Sequence, residues 1–282
     1  MAFHARIWAN REAETITDNS PVTVILDGAH IRATTTTQSR LVDVTVGKAL
    51  DSNSNSRRFG FAPRGAQAPD TILRGILVAQ GWQPGSTVTV IGDGEPALRN
   101  LVKLATGEQG THILDWWHLS IRVQHIEQTI VGMQALETPA HPTISFAAAE
   151  ADRLRHLLWN CYAEEAWHLV RSIQSWARRI SHFAGSVHEA RARKLWGHCA
   201  DLRTYVGNNE SEIVGYSIRY RSKLPVASSA AEGCVDEIAN SRMGKKQRMR
   251  WSPRGAHRVA ILRAAILDNR LPREITPKRK AA

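Results

Sequence analysis

The chain has 282 residues, of which 43% are hydrophobic and 22% charged, enough for one large domain or two small ones with a real core. No apolar run reaches the ~18 residues of a membrane span, and the first residues lack an apolar signal segment, so a membrane location is excluded. Three widely separated cysteines disfavour a disulfide framework or a cysteine-based zinc site and predict a reducing cytoplasm.

The excess positive charge is concentrated at one end of the chain. The formal net charge is +11; residues 241–282 hold 13 Lys/Arg and 2 Asp/Glu, and residues 1–240 hold 24 of each kind. A neutral body with a basic C-terminal part is typical of a protein that binds polyanions. For residues 277–282 alone, a solvated basic tail is the alternative.

Hydrophobic periodicity predicts the elements in chain order. After a polar segment, 1–20, three strands are expected at 22–27, 30–37 and 41–49, followed by a loop over 51–65. A helix over 70–80, a strand over 87–93, a helix over 96–104, a strand over 111–114 and a helix from about Leu119 follow.

The order β-β-β-α-β-α-β-α predicts an α/β fold, a mixed sheet with flanking helices of the ribonuclease-H-like kind. We assign 21–137 to the first part of this core and 144–223 to an all-helical insertion whose tryptophans are mostly core. Residues 224–270 carry a further helix, a basic segment and a C-terminal helix, and 271–282 form a basic tail. The apolar face of the C-terminal helix is expected at Ala256, Val259, Ala260, Leu262, Ile266 and Leu267.

Three acidic residues in different local contexts are the candidate metal ligands. Asp27 and Asp93, 66 residues apart, each end a β-like run and precede a glycine, and Glu232 lies at a helix start. Two strand-end carboxylates and a helical one can hold a pair of Mg²⁺ ions, as in enzymes that cleave phosphodiesters. The alternatives are Asp-Gly turns at both aspartates and a capping box, Ser229 to Glu232, at the third; Asp236 is the rival ligand.

A second motif, Asp115-Trp116-Trp117-His118, follows the predicted strand 111–114. A neutral imidazole three residues from a carboxylate could bind the scissile phosphate or carry a proton. The alternative is a helix-capping aspartate with a buried histidine.

A basic segment begins ten residues after Glu232 and contains five cations and a tryptophan. Such a segment can neutralise DNA phosphates and stack on an unpaired base. Its candidate DNA-binding residues are Arg242, Lys245, Lys246, Arg248, Arg250 and Trp251.

Together these motifs resemble the catalytic domain of bacterial insertion-sequence DDE transposases, in particular the ISKra-type group related to Mutator-like transposases. The resemblance spans roughly Val22 to Leu271. Its most specific parts are the two Asp-Gly pairs, Asp-Trp-Trp-His at 115–118, and a C-terminal block that runs Ser-Ala-Ala-Glu-Gly, Ser-Arg-Met and Met-Arg-Trp-Ser-Pro-Arg-Gly-Ala-His.

The resemblance implies that Asp27, Asp93 and Glu232 form the catalytic triad and that Asp115 and His118 form an accessory motif. It implies two Mg²⁺ ions, with Mn²⁺ as a substitute, and cleavage and strand transfer at element ends and target DNA without a covalent protein–DNA intermediate. It also implies a nucleoid-associated bacterial protein that can form homo-oligomers on DNA.

Family members carry an N-terminal region that recognises the element ends, whereas 26 residues precede Asp27 here. The expectation is therefore a truncated copy that lacks this region. Two other functions stay open at this point: a catalytically inactive DNA-binding remnant, and a ribonuclease-H-like nuclease that acts on RNA or branched DNA.

Overall fold

The computed structural model describes residues 19–34, 39–63, 68–135, 143–182, 188–228, 233–244 and 247–271. Contacts divide these residues into two compact units. The sheet unit contains Asn19–His112 and the residues from Ala227 onward, and the helical unit contains Ile113–Val226.

The described strands form one mixed sheet. They are β1 (Val22–Arg32), β2 (Leu41–Asp51), β3 (Ser56–Phe61), β4 (Val88–Gly92) and β5 (Gly110–Leu114), in the spatial order β3-β2-β1-β4-β5. β1 and β2 pair antiparallel, as do β2 and β3, whereas β1 and β4 pair parallel. This α/β architecture confirms the predicted fold class and is consistent with a ribonuclease-H-like fold.

Both faces of the sheet carry helices, because β1 and β4 alternate apolar residues to either side. On one face Val22, Val24 and Leu26 join a buried cluster with the helices α1 (Pro69–Ala79) and α2 (Pro96–Thr106). On the other face Ala29 and Ile31 join a cluster with C-terminal helices.

Those C-terminal helices are α8 (Val235–Asn240), which has π-type hydrogen bonding, α9 (Ser241–Met243) and α10 (Pro253–Leu267). The hydroxyl of Ser252 accepts the Gly255 N–H at 3.1 Å and caps α10, as its Ser-Pro start predicts.

The helical unit consists of α3 (Trp116–Gln134), α4 (Thr143–Trp159), α5 (Ala163–Ser181), α6 (Glu189–Asn208), a 3₁₀ turn (Glu210–Glu212) and α7 (Tyr216–Arg221). An aromatic cluster joins three of these helices: the ring of Trp116 lies 4.6 Å from that of Trp159 and 5.0 Å from that of Tyr216. Trp196, at 44% exposed, departs from the expected core role of the tryptophans. None of the described helices is long and apolar enough to cross a membrane.

The first strands differ from their predicted bounds. The first predicted strand ends at Asp27, but β1 continues through Asp27 and Gly28 to Arg32, and Asp27 pairs with Val46 of β2. The predicted loop over 51–65 instead contains β3, whose Phe59 and Phe61 are buried. The predicted element order is still correct. β1 extends over the start of the predicted strand 30–37, β2 covers the predicted strand 41–49, and β3 is the third strand.

The buried face of α10 also differs from the predicted one. Ala256, Ala260 and Ala264 face the core, while Leu262 and Ile266 are each 49% exposed. The reason is the close approach of α10 to the sheet: a Cβ on Gly60 of β3 would lie 3.2 Å from the Cβ of Ala260. Small residues fit such a gap and leucine does not.

Substitution of glycine by alanine at two positions tests the packing of the sheet unit. A Cβ on Gly47 would lie 2.3 Å from the backbone oxygen of Ile25, so Gly47→Ala should lower the free energy of unfolding by at least about 1–3 kcal/mol. Gly75, inside α1, faces open space, so Gly75→Ala should raise it by about 0.5–1 kcal/mol. Urea unfolding measures both, and an unchanged midpoint for Gly47→Ala would contradict the close approach of β1 and β2.

Candidate active site on the sheet

Asp27 lies in β1, and Asp93 follows β4, its neighbour in the sheet. β1 and β4 pair in parallel register from Val22 with Val88 to Ile25 with Ile91. Extended by two residues, one past the end of β4 at Gly92, this register would align Asp27 with Asp93, and neighbouring strands are about 4.8 Å apart. The strand pairing is therefore compatible with the predicted proximity of these two site residues.

Asp27 is held in the middle of a paired strand and not at a strand end. It is partly exposed, and one carboxylate oxygen accepts the N–H of Gly28 at 2.7 Å. By strand alternation Asp27 shares a face with Ala29 and Ile31, the face on which α8 packs.

Asp93 begins the turn that leads into α2. Its Oδ1 accepts the backbone N–H of Glu95 at 3.0 Å, and Gly94 between them has a φ of +82°. Glycine adopts this left-handed conformation without strain, which explains the Asp-Gly-Glu sequence. The turn role predicted as the alternative for Asp93 is therefore present.

A third carboxylate, that of Glu95, lies near Asp93 and was not identified as a site residue from the sequence. Its Oε2 lies 3.4 Å from the position that a Cβ on Gly28 would take, so the Glu95 carboxylate lies in van der Waals reach of β1 at Gly28. The spacing of two residues from Asp93 was the available signal. The turn geometry that aims Glu95 at β1 depends on the φ of Gly94, which the sequence does not state.

The surroundings of Glu95 raise its pKa. Burial raises its pKa first, and the charge of Asp93 raises it further; His30 opposes this, and Asp43 and Asp27 add smaller increases. Asp27 has the smallest effect, which fits its position on the other face of β1. Glu95 also lines a cleft of about 270 Å³ with Gly28, His30, Asp43 and Asp70, in which His30 Nδ1 lies 2.8 Å from Asp43 Oδ1.

Glu232, the third predicted ligand, lies outside the described residues. The helix that follows it is described: Cys234 is 1% exposed and joins the cluster of Ile31, Val46 and Ile238 on the face that carries Asp27. Within the described ranges no group of three or more His, Cys, Asp or Glu residues is arranged to hold a metal ion. Of the three expected ligands, Asp27 and Asp93 lie within the described residues.

Asp115 and His118 belong to the helical unit. Asp115 is fully buried, and its side chain caps α3 by accepting the Trp117 N–H at 2.8 Å. His118 Nε2 lies 3.6 Å from the other carboxylate oxygen of Asp115. The capping aspartate of the predicted alternative is therefore observed, whereas His118 is partly exposed and not buried as that alternative expected. The cap explains why an aspartate begins this helix.

The predicted DNA-binding segment is tied to the end of β1. The Trp251 N–H donates to the Arg32 carbonyl at 2.9 Å, and the Thr34 N–H donates to the Trp251 carbonyl at 3.0 Å. Arg242, Arg248 and Arg250 are exposed, whereas Trp251 is partly buried against the core cluster. Lys245 and Lys246 lie outside the described residues.

No protein-family model matches this chain, and comparison with curated protein sequences gives no significant match.

The raised pKa of Glu95 gives a stability prediction. Because the folded state disfavours the charged form, folding loses stability as pH rises through the folded-state pKa, and the loss is absent below the unfolded pKa. Glu95→Gln should therefore raise Tm at neutral pH, by at most about 2–4 °C, since a partly exposed carboxylate contributes less than about 1 kcal/mol. The Glu95 side chain makes no capping hydrogen bond, so none is lost.

The measurement is thermal unfolding of both proteins from acidic to neutral pH. The difference in Tm should shrink as pH falls through the pKa of Glu95. A Tm difference that does not change with pH would contradict the assignment, and Glu108→Gln is the control for removing an exposed acid.

Proposed function

We propose that this chain is the catalytic domain of a metal-dependent DNA transposase, which cleaves and joins phosphodiesters. The observation that carries the proposal is the parallel register of β1 and β4, which, extended two residues past its last pair, Ile25 with Ile91, would align Asp27 with Asp93. The ribonuclease-H-like strand order supports it, as does the packing of the helix after Glu232 on the face of Asp27.

The donor set fits a hard divalent cation. Asp27 and Asp93 offer carboxylate oxygens on adjacent strands, and Mg²⁺ and Mn²⁺ prefer such ligands. Glu232 would complete the set. When bound, a pair of ions supplies Lewis-acid activation of an attacking water or 3′-hydroxyl and neutralises charge on the leaving oxygen.

The protein's own contribution is orientation. Asp27 is fixed because β1 pairs with a strand on each side, and Asp93 is fixed by its hydrogen bond to the Glu95 N–H. Rigid positions of this kind hold reacting groups in line at little entropic cost during the reaction.

The basic segment would hold the DNA near this pair. It is hydrogen-bonded to the end of β1 at Arg32, five residues beyond Asp27, or about 17 Å along the strand. Exposed guanidinium groups at Arg248 and Arg250 can contact backbone phosphates over that distance. The packed ring of Trp251 fixes where the segment meets the strand.

Metal binding is tested by thermal unfolding with Mg²⁺. Clustered carboxylates repel one another and are stabilised by the cations they bind, so Mg²⁺ should raise the Tm of the wild type. Asp93→Asn should lose this response while remaining folded, because asparagine keeps the Oδ1 acceptor for the Glu95 N–H.

Glu164→Gln, at an exposed position on the first turn of α5 in the helical unit, is the control and should keep the Mg²⁺ response. Equal stabilisation of wild type and Asp93→Asn would place the metal site elsewhere.

DNA binding is tested by the salt dependence of affinity. Changing Arg242, Arg248 and Arg250 to Gln should flatten the slope of log K against log salt by about 2–3 units, at about 0.9 per neutralised phosphate. Changing Arg171, Arg178 and Arg179 of α5 to Gln removes equal charge from another surface and should change the slope less. Equal flattening by both sets would mean that the segment has no special role.

Activity assays separate the remaining functions. Strand transfer of a 3′-hydroxyl, lost in Asp27→Asn, is the expected result. Hydrolysis without strand transfer would favour a ribonuclease-H-like nuclease. DNA binding without metal-dependent cleavage would favour a catalytically inactive remnant.

A further inference from the structure

A cleft in the helical unit is lined by arginine, lysine and histidine side chains. It has a volume of about 250 Å³ and lies between α3 and α6. The residues that line it are His125, Gln128, Thr129, Gly132, Arg191, Lys194 and His198. None of these lining residues, all within the described part of the chain, is an aspartate or glutamate.

The cleft is built by two helix faces that run in opposite directions. His125, Gln128 and Gly132 recur at helical spacing along α3, as do Arg191, Lys194 and His198 along α6. The rings of His125 and His198 lie 5.2 Å apart at one end, and Gly132 meets Arg191 at the other. The two helices therefore place all four cationic or ionisable side chains on one groove.

The guanidinium group of Arg191 lies against α3 at Gly132. A Cβ at this position would lie 3.6 Å from Arg191 Nε, within ordinary van der Waals contact. Arg191 Nη1 is buried, and within the described residues it has no hydrogen-bond partner. A buried guanidinium N–H without an acceptor is costly, and a ligand oxygen would remove that cost.

The electrostatics of the cleft point to the same kind of ligand. Burial lowers the pKa of His198, and the neighbouring His125 and Lys194 lower it further, while Asp201 acts in the opposite direction. Arg193, one residue from the cleft, is paired with Glu189. The cations that face the cleft thus repel one another, and an anion between them would be held by several charge-assisted hydrogen bonds.

We propose that the cleft between α3 and α6 binds a phosphate group through Arg191, Lys194, His198 and the amide of Gln128. The volume suits a tetrahedral oxyanion, and the donors supply hydrogen bonds from both helices. Free phosphate and a backbone phosphodiester of nucleic acid share this chemistry. The site is independent of the carboxylate pair of the sheet unit and of the function proposed for it.

The test is a titration of the full chain with sodium phosphate, at an ionic strength kept constant with sodium chloride. The probe is the NMR signal of the His198 ring, and Tm is the second readout. Phosphate should shift the His198 signal and raise Tm in the wild type. Arg191→Gln and Lys194→Gln should each weaken phosphate binding about tenfold.

Arg193→Gln is the matched control, because it removes the same charge from the same helix outside the cleft, and it should bind phosphate as the wild type does. Lys194 is exposed, so its variant keeps the test decisive if Arg191→Gln does not fold. Equal phosphate affinity in wild type, Arg191→Gln and Lys194→Gln would overturn the proposal, as would a His198 signal that phosphate does not move.

A short DNA duplex distinguishes the two sources of phosphate. If the duplex displaces inorganic phosphate and shifts His198 itself, the cleft takes a backbone phosphodiester, and Arg191→Gln should flatten the salt slope by about one unit. If the duplex leaves phosphate affinity unchanged, the cleft takes a free phosphate ligand.

Discussion

The pairing of β1 on both sides is the constraint on which the candidate site depends. β2 pairs with all eleven residues of β1, and β4 pairs with its first four. Because the register with β4 is parallel, side chains at equal distance from the last pair lie opposite one another. A slip of one residue would send Asp27 to the other face, away from α8 and from Asp93.

The turn from Asp93 to Glu95 has an electrostatic consequence. Burial raises the pKa of Glu95 most and the charge of Asp93 raises it further, so the folded chain carries unfavourable interactions that a stability optimum would avoid. The start of α2 offsets part of this cost, since the positive end of a helix dipole favours nearby carboxylates. A fold that keeps acidic groups together despite repulsion is typical of sites that bind cations.

The sequence predicts the element order, because hydrophobic periodicity is a local signal. It places the end of β1 wrongly, since Asp-Gly can be either a turn or a paired segment, and only pairing with β2 decides. The predicted buried face of α10 is partly wrong for a related reason. Helix periodicity favours burial of Leu262, but the narrow gap between α10 and Gly60 fits the small side chain of alanine. Glu95 escapes prediction because its position depends on the φ of Gly94.

Counting charges along the sequence shows where the excess of positive charge lies, but it does not show where the folded chain has strong local electrostatic fields. Residues 1–240 carry equal numbers of Lys/Arg and Asp/Glu, so composition alone predicts no strong electrostatic field in this part of the chain. Folding places charges of one sign close together in each unit. In the sheet unit, carboxylates lie around Glu95. In the helical unit, α3 and α6 bring Arg191, Lys194 and two histidines to one cleft. Helix and strand periodicity brings together residues far apart in sequence, so opposite fields arise from a neutral composition. The chemistry of each unit therefore follows from register and spacing more than from net charge.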